Sequence, residues 1–256
     1  MELTILGSGT SVPHPQRAAS ASWLQTPSGS LLLDMSAVAV HRMAQEGLDW
    51  PNLDAVWISH FHLDHLGGLA PFLFGIKHAA QAQERRQPLN IFGGRGLEQL
   101  FRAIDEAGNF KLFKQKFPVQ FCEVEPGASF QILPNLQAST FKTPHTGESL
   151  ALRLEDERGV SLVYTSDTGY AEDLCAFARG AHLLLMECSF VRDKPVETHL
   201  ELSEAMRLAT LAMPQKVLLT HLYPEWDGVD LASEARKLWD GETIAATDGL
   251  RLKIGK

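Results

Sequence analysis

Four residues of types that bind metal ions lie within one six-residue stretch, His60-Phe61-His62-Leu63-Asp64-His65. The stretch directly follows an apolar run over residues 54–59, which comes after Pro51-Asn52, and the pair Gly67-Gly68 comes next. A short apolar run between such turn formers predicts a buried strand that opens into a loop. The two-residue spacing then constrains which of these side chains can meet at the end of that strand.

In an extended backbone, residues two apart point the same way, so His60 and His62 can converge on one ion. Asp64 and His65 follow, just before a helix predicted to start near Leu66, and point elsewhere. Imidazole nitrogen together with carboxylate oxygen suits zinc, and two ligand groups that face different directions indicate two ions. The alternative is a solvated, histidine-rich loop that holds no metal.

The composition is that of an ordinary globular protein, with 45% hydrophobic and 21% charged residues among 256. No linker or low-complexity segment divides the chain, so we expect one domain over residues 1–256. No apolar run approaches the ~20 residues of a membrane span, and the first residues lack the basic region of a signal peptide. We therefore expect a cytoplasmic protein with no membrane partner.

The net charge and the cysteine content each argue against particular functions. The net charge of −8 argues against broad non-specific binding of nucleic acid, which depends on neutralising phosphates with Lys and Arg. The three cysteines, Cys122, Cys175 and Cys188, have no CxxC spacing and are odd in number. This pattern argues against a cysteine-based metal site and against a disulfide framework.

Strand and helix patterns recur through both halves of the chain, which predicts two β-sheets covered on their outer faces by helices. Three further ligand-type residues, His145, Asp167 and His221, each follow a predicted strand in the second half. Alone, each of them would more often be a structural histidine or a turn former. Asp34 closes an apolar strand, where it either braces the metal loop or caps a helix that begins near Ser36.

Taken together, these residues resemble the metallo-β-lactamase superfamily, and within it the ribonuclease Z group of phosphodiesterases. The resemblance implies an αββα sandwich of two mixed sheets, with the metal ions at one edge of both. It implies one zinc ion held by His60, His62 and His145. The second ion would be held by Asp64, His65 and His221, and Asp167 would bridge the two.

A second group of residues carries the resemblance to ribonuclease Z. Glu187-Cys-Ser-Phe190 and Thr198-His199 resemble two motifs of that group. The resemblance implies that His199 reaches the scissile phosphate as a proton donor, that Glu187 orients it, and that Asp64 accepts the proton of the attacking water. The alternative is a histidine that caps a helix beside a glutamate at a sheet edge.

The chain departs from ribonuclease Z in two places. The region between Gly67 and His145 has no long Gly/Pro-rich arm for gripping transfer RNA, and Leu-Tyr-Pro-Glu-Trp226 follows His221 where the group usually places a Ser and an Arg. We therefore expect a binuclear metal-dependent phosphodiesterase that acts on a nucleotide or another small phosphodiester, with RNA only weakly supported. Zinc is the expected metal, and manganese and iron are alternatives.

Two other functions stay open at this point. One is a carboxylic ester, thioester or lactam hydrolase of the same fold, although Glu187 and His199 argue against it. The other is an accessory protein that binds metal without turnover. Members of the ribonuclease Z group are usually dimeric, which favours a homodimer.

Overall fold

The computed structural model describes residues 1–255. It contains fourteen β-strands: β1 Glu2–Gly7, β2 Ala21–Thr26, β3 Gly29–Leu33, β4 Ala55–Ile58, β5 Leu89–Gly93, β6 Val119–Glu123, β7 Ser129–Leu133, β8 Leu136–Lys142, β9 Leu150–Asp156, β10 Ser161–Tyr164, β11 Leu183–Glu187, β12 Lys216–Thr220, β13 Glu242–Ala245 and β14 Arg251–Lys253. The α-helices are α1 Ala39–Gln45, α2 Leu63–Leu66, α3 Leu69–Ile76, α4 Leu97–Gly108, α5 Asp173–Ala178, α6 Leu202–Ala212 and α7 Leu231–Arg236. Short 3₁₀ helices lie at Trp50–Asn52, Ala80–Ala82 and Pro224–Trp226. None of the described helices is long and apolar enough to cross a membrane.

The strands form two seven-stranded mixed sheets. The first has the order β14-β1-β2-β3-β4-β5-β6, and the second has the order β13-β12-β11-β10-β9-β8-β7. Strands β3 to β6 run parallel in the first sheet, and β10 to β13 run parallel in the second. Because parallel strands end at the same edge of a sheet, the residues that follow them gather along that edge.

Three apolar cores hold four layers together. The inner faces of the two sheets share one core, which includes Trp57, Leu152 and Leu218. The outer face of the first sheet packs against α1, α3 and α4, and the outer face of the second packs against α5, α6 and α7. Burial of these apolar faces drives the layers together, and the predicted αββα architecture is confirmed.

Two helix starts differ from the prediction. The helix predicted from Leu66 is two helices, α2 and α3, which meet at Gly67-Gly68, so Asp64 and His65 lie inside α2. The Gly68 N–H donates to the Met35 carbonyl at 2.8 Å, and a Cβ at this position would lie 2.2 Å from the Ser36 carbonyl oxygen. This close approach of two backbone segments needs glycine. The helix expected near Ser36 begins at Ala39.

Candidate metal centre

The seven predicted metal ligands meet at the edge where the parallel strands of both sheets end. Their ligand atoms lie within 4.8 Å of one another in two groups. The first group is His60, His62, His145 and Asp167, and the second is Asp64, His65 and His221. The structure thus brings together every residue that the resemblance assigned to the two ions.

The first group joins the end of β4 to a loop of the second sheet. His60 is fully buried, and its Nδ1 lies 3.0 Å from the Ser59 hydroxyl, which leaves Nε2 directed at the site. His145 donates from Nδ1 to the Thr198 carbonyl at 2.9 Å, and its Nε2 lies 3.1 Å from Nδ1 of His62. Burial lowers the pKa of both His60 and His145, which favours the neutral rings that coordinate metals.

Asp34 braces the second group and caps no helix. Its carboxylate accepts hydrogen bonds from the Ser59 N–H at 2.8 Å, the Ser59 hydroxyl at 2.7 Å and the Tyr164 hydroxyl at 2.6 Å. Its Oδ2 also lies 2.7 Å from Nδ1 of His65, whose Nε2 then faces the ligand cluster. Such a carboxylate–imidazole pair orients a metal-binding ring and raises its basicity.

Asp167 lies between the two groups. Its carboxylate oxygens are 3.3 Å from Nε2 of both His65 and His221, and 3.7 Å from Nε2 of both His60 and His145. Burial would raise the pKa of Asp167, but His221 and His65 hold it well below its usual value. One carboxylate is therefore placed to contact both groups.

Three residues in the left-handed backbone conformation shape this edge. Asp34 (φ 58°) follows β3, Ser166 (φ 55°) lies just beyond β10, and His221 (φ 58°) follows β12. This conformation is uncommon for residues other than glycine and costs on the order of 1–3 kcal/mol in sparsely populated cases. Here it turns the chain sharply as each strand ends, and the left-handed conformation was not predicted at any of the three positions.

The buried ring nitrogens of the ligand cluster are suited to bind cations. The Nε2 atoms of His60, His65 and His221 are buried and make no well-aligned hydrogen bond among the described residues, although the Asp167 carboxylate lies 3.3–3.7 Å away. A buried polar atom without a partner is costly in free energy. Three such nitrogens that converge on one point indicate a cation that accepts their lone pairs. Burial lowers the pKa of His65, but Asp167 and Asp34 raise it well above its usual value. The surrounding carboxylates therefore stabilise positive charge at this point.

His199 and Glu187 form a pair beside the ligand cluster. His199 Nδ1 lies 2.9 Å from Glu187 Oε1, and His199, His221 and Asp167 offer ligand atoms within 4.8 Å of one another. The buried Glu187 carboxylate also accepts from the N–H groups of Thr168, Ser189 and Leu200 and from the Ser189 hydroxyl. Burial lowers the pKa of His199, but its hydrogen bond with Glu187 raises it above the usual value.

His199 does not cap helix α6. The residue that caps α6 is Glu201, which forms a capping box with Glu204. His199 precedes the cap and faces the ligand cluster, with only a small part of its surface exposed. Its ring is thus available to the site.

Sequence reasoning missed the hydroxyl groups that orient the ligands. Ser59 contacts His60, Ser189 Oγ lies 3.0 Å from Nδ1 of His221, and Tyr164 fixes Asp34. Ser59 directly precedes a ligand, which is a weak signal, whereas Ser189 and Tyr164 reach their partners only through the fold. His182 lies outside the cluster, and its Nδ1 is 3.2 Å from the Ser161 backbone nitrogen.

The chain is similar in sequence to known proteins over almost its whole length. The model of the family described as anti-Pycsar protein Apyc1 matches residues 1–241. Uncharacterized protein ML1173 of Mycobacterium leprae is 32% identical, over 97% of this chain and 87% of that protein. Probable metallo-hydrolase YhfI of Bacillus subtilis is 28% identical, over 97% of this chain and 98% of its own.

The solved structure of YhfI is described as a metallo-β-lactamase-fold protein. It superposes with a TM-score of 0.83 at 26% identity and covers 98% of this chain and 99% of its own. Ribonuclease Z of Archaeoglobus fulgidus is 23% identical, over 99% of this chain and 97% of that protein. The predicted resemblance to the metallo-β-lactamase superfamily and ribonuclease Z is confirmed.

Proposed function

Because this chain belongs to the family of the anti-Pycsar protein Apyc1 and is a hydrolase of the metallo-β-lactamase fold, we propose that it is a binuclear metal-dependent phosphodiesterase. Its substrate would be a nucleotide or another small phosphodiester. The observation that carries the proposal is the buried Glu187–His199 pair beside two groups of metal ligands.

The ligand residues would divide as follows. His60, His62 and His145 would hold one ion, Asp64, His65 and His221 would hold the other, and Asp167 would contact both. When bound, two divalent ions would supply Lewis acidity to the phosphoryl oxygens and lower the pKa of a water molecule toward ~7. The nitrogen and oxygen donors support zinc, with manganese and iron as the alternatives to be measured.

His199 would act on the leaving group. With Nδ1 engaged by Glu187, the other ring nitrogen, Nε2, can donate a proton to the departing oxygen. The raised pKa of His199 keeps more of the ring protonated near neutral pH, which suits an acid. Burial would raise the pKa of Asp64, but His221 and His65 lower it below its usual value. Asp64 therefore remains an ionised carboxylate that can accept a proton from water.

A small phosphodiester suits this chain better than precursor transfer RNA. The alignment with ribonuclease Z of Archaeoglobus fulgidus runs over 308 positions against the 256 residues here, so that enzyme carries residues with no counterpart in this chain. Between Gly67 and His145, the structure contains compact helices and strands of the sandwich. The absent arm supports a substrate without an extended RNA body.

The test combines metal analysis with a substrate panel. Purified protein should contain close to two equivalents of a divalent transition metal by elemental analysis. It should hydrolyse bis-p-nitrophenyl phosphate, and not a β-lactam or a thioester, because the Glu187–His199 pair serves a phosphate.

A matched pair of variants makes the test specific. His62→Ala should lose metal and activity together, whereas His41→Ala, a histidine of α1 outside the ligand cluster, should keep both. Thioester or lactam hydrolysis without phosphodiesterase activity would favour the other hydrolase class. Full metal content without turnover of any substrate would favour the accessory protein.

A further inference from the structure

Two aromatic side chains form a stacked pair beside the candidate metal centre. The rings of Phe190 and Tyr223 have centroids 4.8 Å apart and planes inclined by 24°. Phe190 follows the Glu187-Cys-Ser segment, and Tyr223 lies two residues beyond His221. Both rings are thus carried by segments that also carry groups of the site.

The Tyr223 ring is held in place from several sides. The backbone N–H of Tyr223 donates to the Ser189 carbonyl at 3.3 Å. The 3₁₀ helix Pro224–Trp226 follows at once, and its Trp226 indole N–H donates to the Cys188 carbonyl at 2.7 Å. Phe190, only 5% exposed, supports the ring from one side. A ring fixed in this way loses little conformational freedom when it binds a ligand.

The planes of the two aromatic rings are inclined to the imidazoles by 70–75°. His199 and His221 stack with centroids 5.3 Å apart, and Tyr223 meets them edge to face, at 6.3 Å from His199 and 6.0 Å from His221. Tyr223 remains half-buried, whereas Phe190 is buried. Tyr223 is therefore the member of the pair that a ligand at the ligand cluster can contact.

We infer that Tyr223 is a substrate-binding residue that stacks on the base of a nucleotide whose phosphate lies at the metal centre. The inference rests on the proposed function only for the position of the phosphate. A single sugar separates the base of a nucleotide from its phosphate. When the phosphate lies at the ligand cluster, the base can therefore reach Tyr223, whose ring centroid lies 6.0 Å from that of His221. Stacking on an aromatic side chain tolerates any base, because every base has a π-face.

The test compares two esters that share a leaving group. Thymidine 5′-(p-nitrophenyl phosphate) carries a base, and methyl p-nitrophenyl phosphate does not. Tyr223→Leu should raise KM for the thymidine ester by about 5–150-fold, the range that base stacking supplies. Its kcat, and both constants for the methyl ester, should change little, since only ground-state and transition-state binding of the base is lost.

Two further variants separate stacking from structure. Tyr223→Phe keeps the ring and loses only the hydroxyl group, so it should retain the KM for the thymidine ester. Phe74→Leu removes a half-exposed ring on α3 that contacts Lys77 and His78, and should change neither ester. Equal changes for both esters in Tyr223→Leu would assign Tyr223 a structural role and overturn the inference.

If the proposed phosphodiesterase function is wrong, the same assays give a different result. If the wild-type protein hydrolyses neither ester, the phosphodiesterase proposal fails, and binding of thymidine 5′-monophosphate by calorimetry then decides the role of Tyr223. A 5-fold or larger loss of affinity in Tyr223→Leu, with methyl phosphate unaffected, would support stacking. Unchanged affinity for the nucleotide would overturn it.

Discussion

The buried histidines of the metal centre each use one ring nitrogen for the protein and direct the other at the site. His65 contacts Asp34, His145 donates to the Thr198 carbonyl, and His221 contacts Ser189. Since the two ring nitrogens are distinct, such a bond sets both the tautomer and the direction of the free lone pair. The supporting residues therefore matter for metal affinity although they touch no metal.

Replacing the brace of His65 tests this role. Asp34→Asn keeps the size of the side chain and tolerates the left-handed backbone at this position, but loses the charge and one strong acceptor. We expect metal affinity to fall by about 10–100-fold, measured by titration of the metal-free protein with zinc against a competing chelator.

Asp54→Asn is the matched control, because Asp54 is likewise a hydrogen-bonded carboxylate next to a strand. It accepts from the N–H and the hydroxyl of Ser30 and lies outside the ligand cluster. This variant should change stability and leave metal affinity as it is. Equal losses of metal affinity in both variants would show that Asp34 acts only on the fold.

The proton-donor role of His199 predicts a dependence on the leaving group. His199→Ala should keep both metals and lose about 10²–10⁴-fold in turnover of dithymidine phosphate, whose alkoxide leaving group needs a proton. The loss on thymidine 5′-(p-nitrophenyl phosphate) should be much smaller, because p-nitrophenolate leaves without one. Steady-state rates on the two substrates provide the measurement.

His182→Ala serves as the control, since His182 contacts Ser161 and lies outside the ligand cluster. Both substrates should be turned over at the wild-type rate by that variant. Equal losses on the two substrates in His199→Ala would remove the proton-donor role.

Among the elements, the one-turn helix α2 is positioned by backbone contacts. The Met35 N–H donates to the His65 carbonyl at 2.6 Å, and the Gly68 N–H donates to the Met35 carbonyl at 2.8 Å. The segment that follows β3 therefore positions Asp64 and His65. A four-residue helix has little stability of its own, so these contacts hold it.

A methyl group at Gly68 should disturb that contact. Gly68→Ala would place Cβ 2.2 Å from the Ser36 carbonyl oxygen, and the backbone shift should cost about 1–3 kcal/mol in the free energy of unfolding. Gly75→Ala, in α3 with no atom within 4 Å of the added Cβ, should instead gain about 0.5–1 kcal/mol. Urea unfolding of both variants gives the comparison, and a neutral Gly68→Ala would refute the packing argument.

Across the whole molecule, the metal centre joins the two sheets. His60, His62, Asp64 and His65 follow β4 of the first sheet, whereas His145, Asp167 and His221 follow strands of the second. Strand β14 pairs with β1, so the last described strand returns to the first sheet. We therefore propose that the chain forms one domain, as predicted over residues 1–256; Lys256 lies outside the described residues.

One cooperative unfolding transition should follow from this arrangement. Trp57 is buried in the first sheet and Trp226 against the second. Variants that keep one or the other as their only tryptophan should unfold in urea at the same midpoint, because the shared inter-sheet core links both halves. Far-UV circular dichroism of the wild-type protein should show a single transition, and two separate midpoints would indicate two domains.

Much of the site could be predicted because its chemistry is local in the sequence. The cluster from His60 to His65 is identified by residue type and spacing, and the recurring apolar runs indicate the two sheets and their covering helices. The break at Gly67-Gly68 was missed because its cause is a backbone segment more than thirty positions earlier. The homodimer and the cytoplasmic location stay predictions.

The sequence by itself determined the ligand types, the layered fold class and the places of His60, His145, Asp167 and His221 just beyond strand ends. It could do so because side-chain chemistry and hydrophobic periodicity are properties of short stretches. Only the tertiary structure decided that Asp34 braces His65, that Ser189 contacts His221, and that Tyr223 stands beside the imidazoles. These contacts join segments from different strands. Their geometry depends on how two sheets pack and twist, which no local pattern of residues encodes.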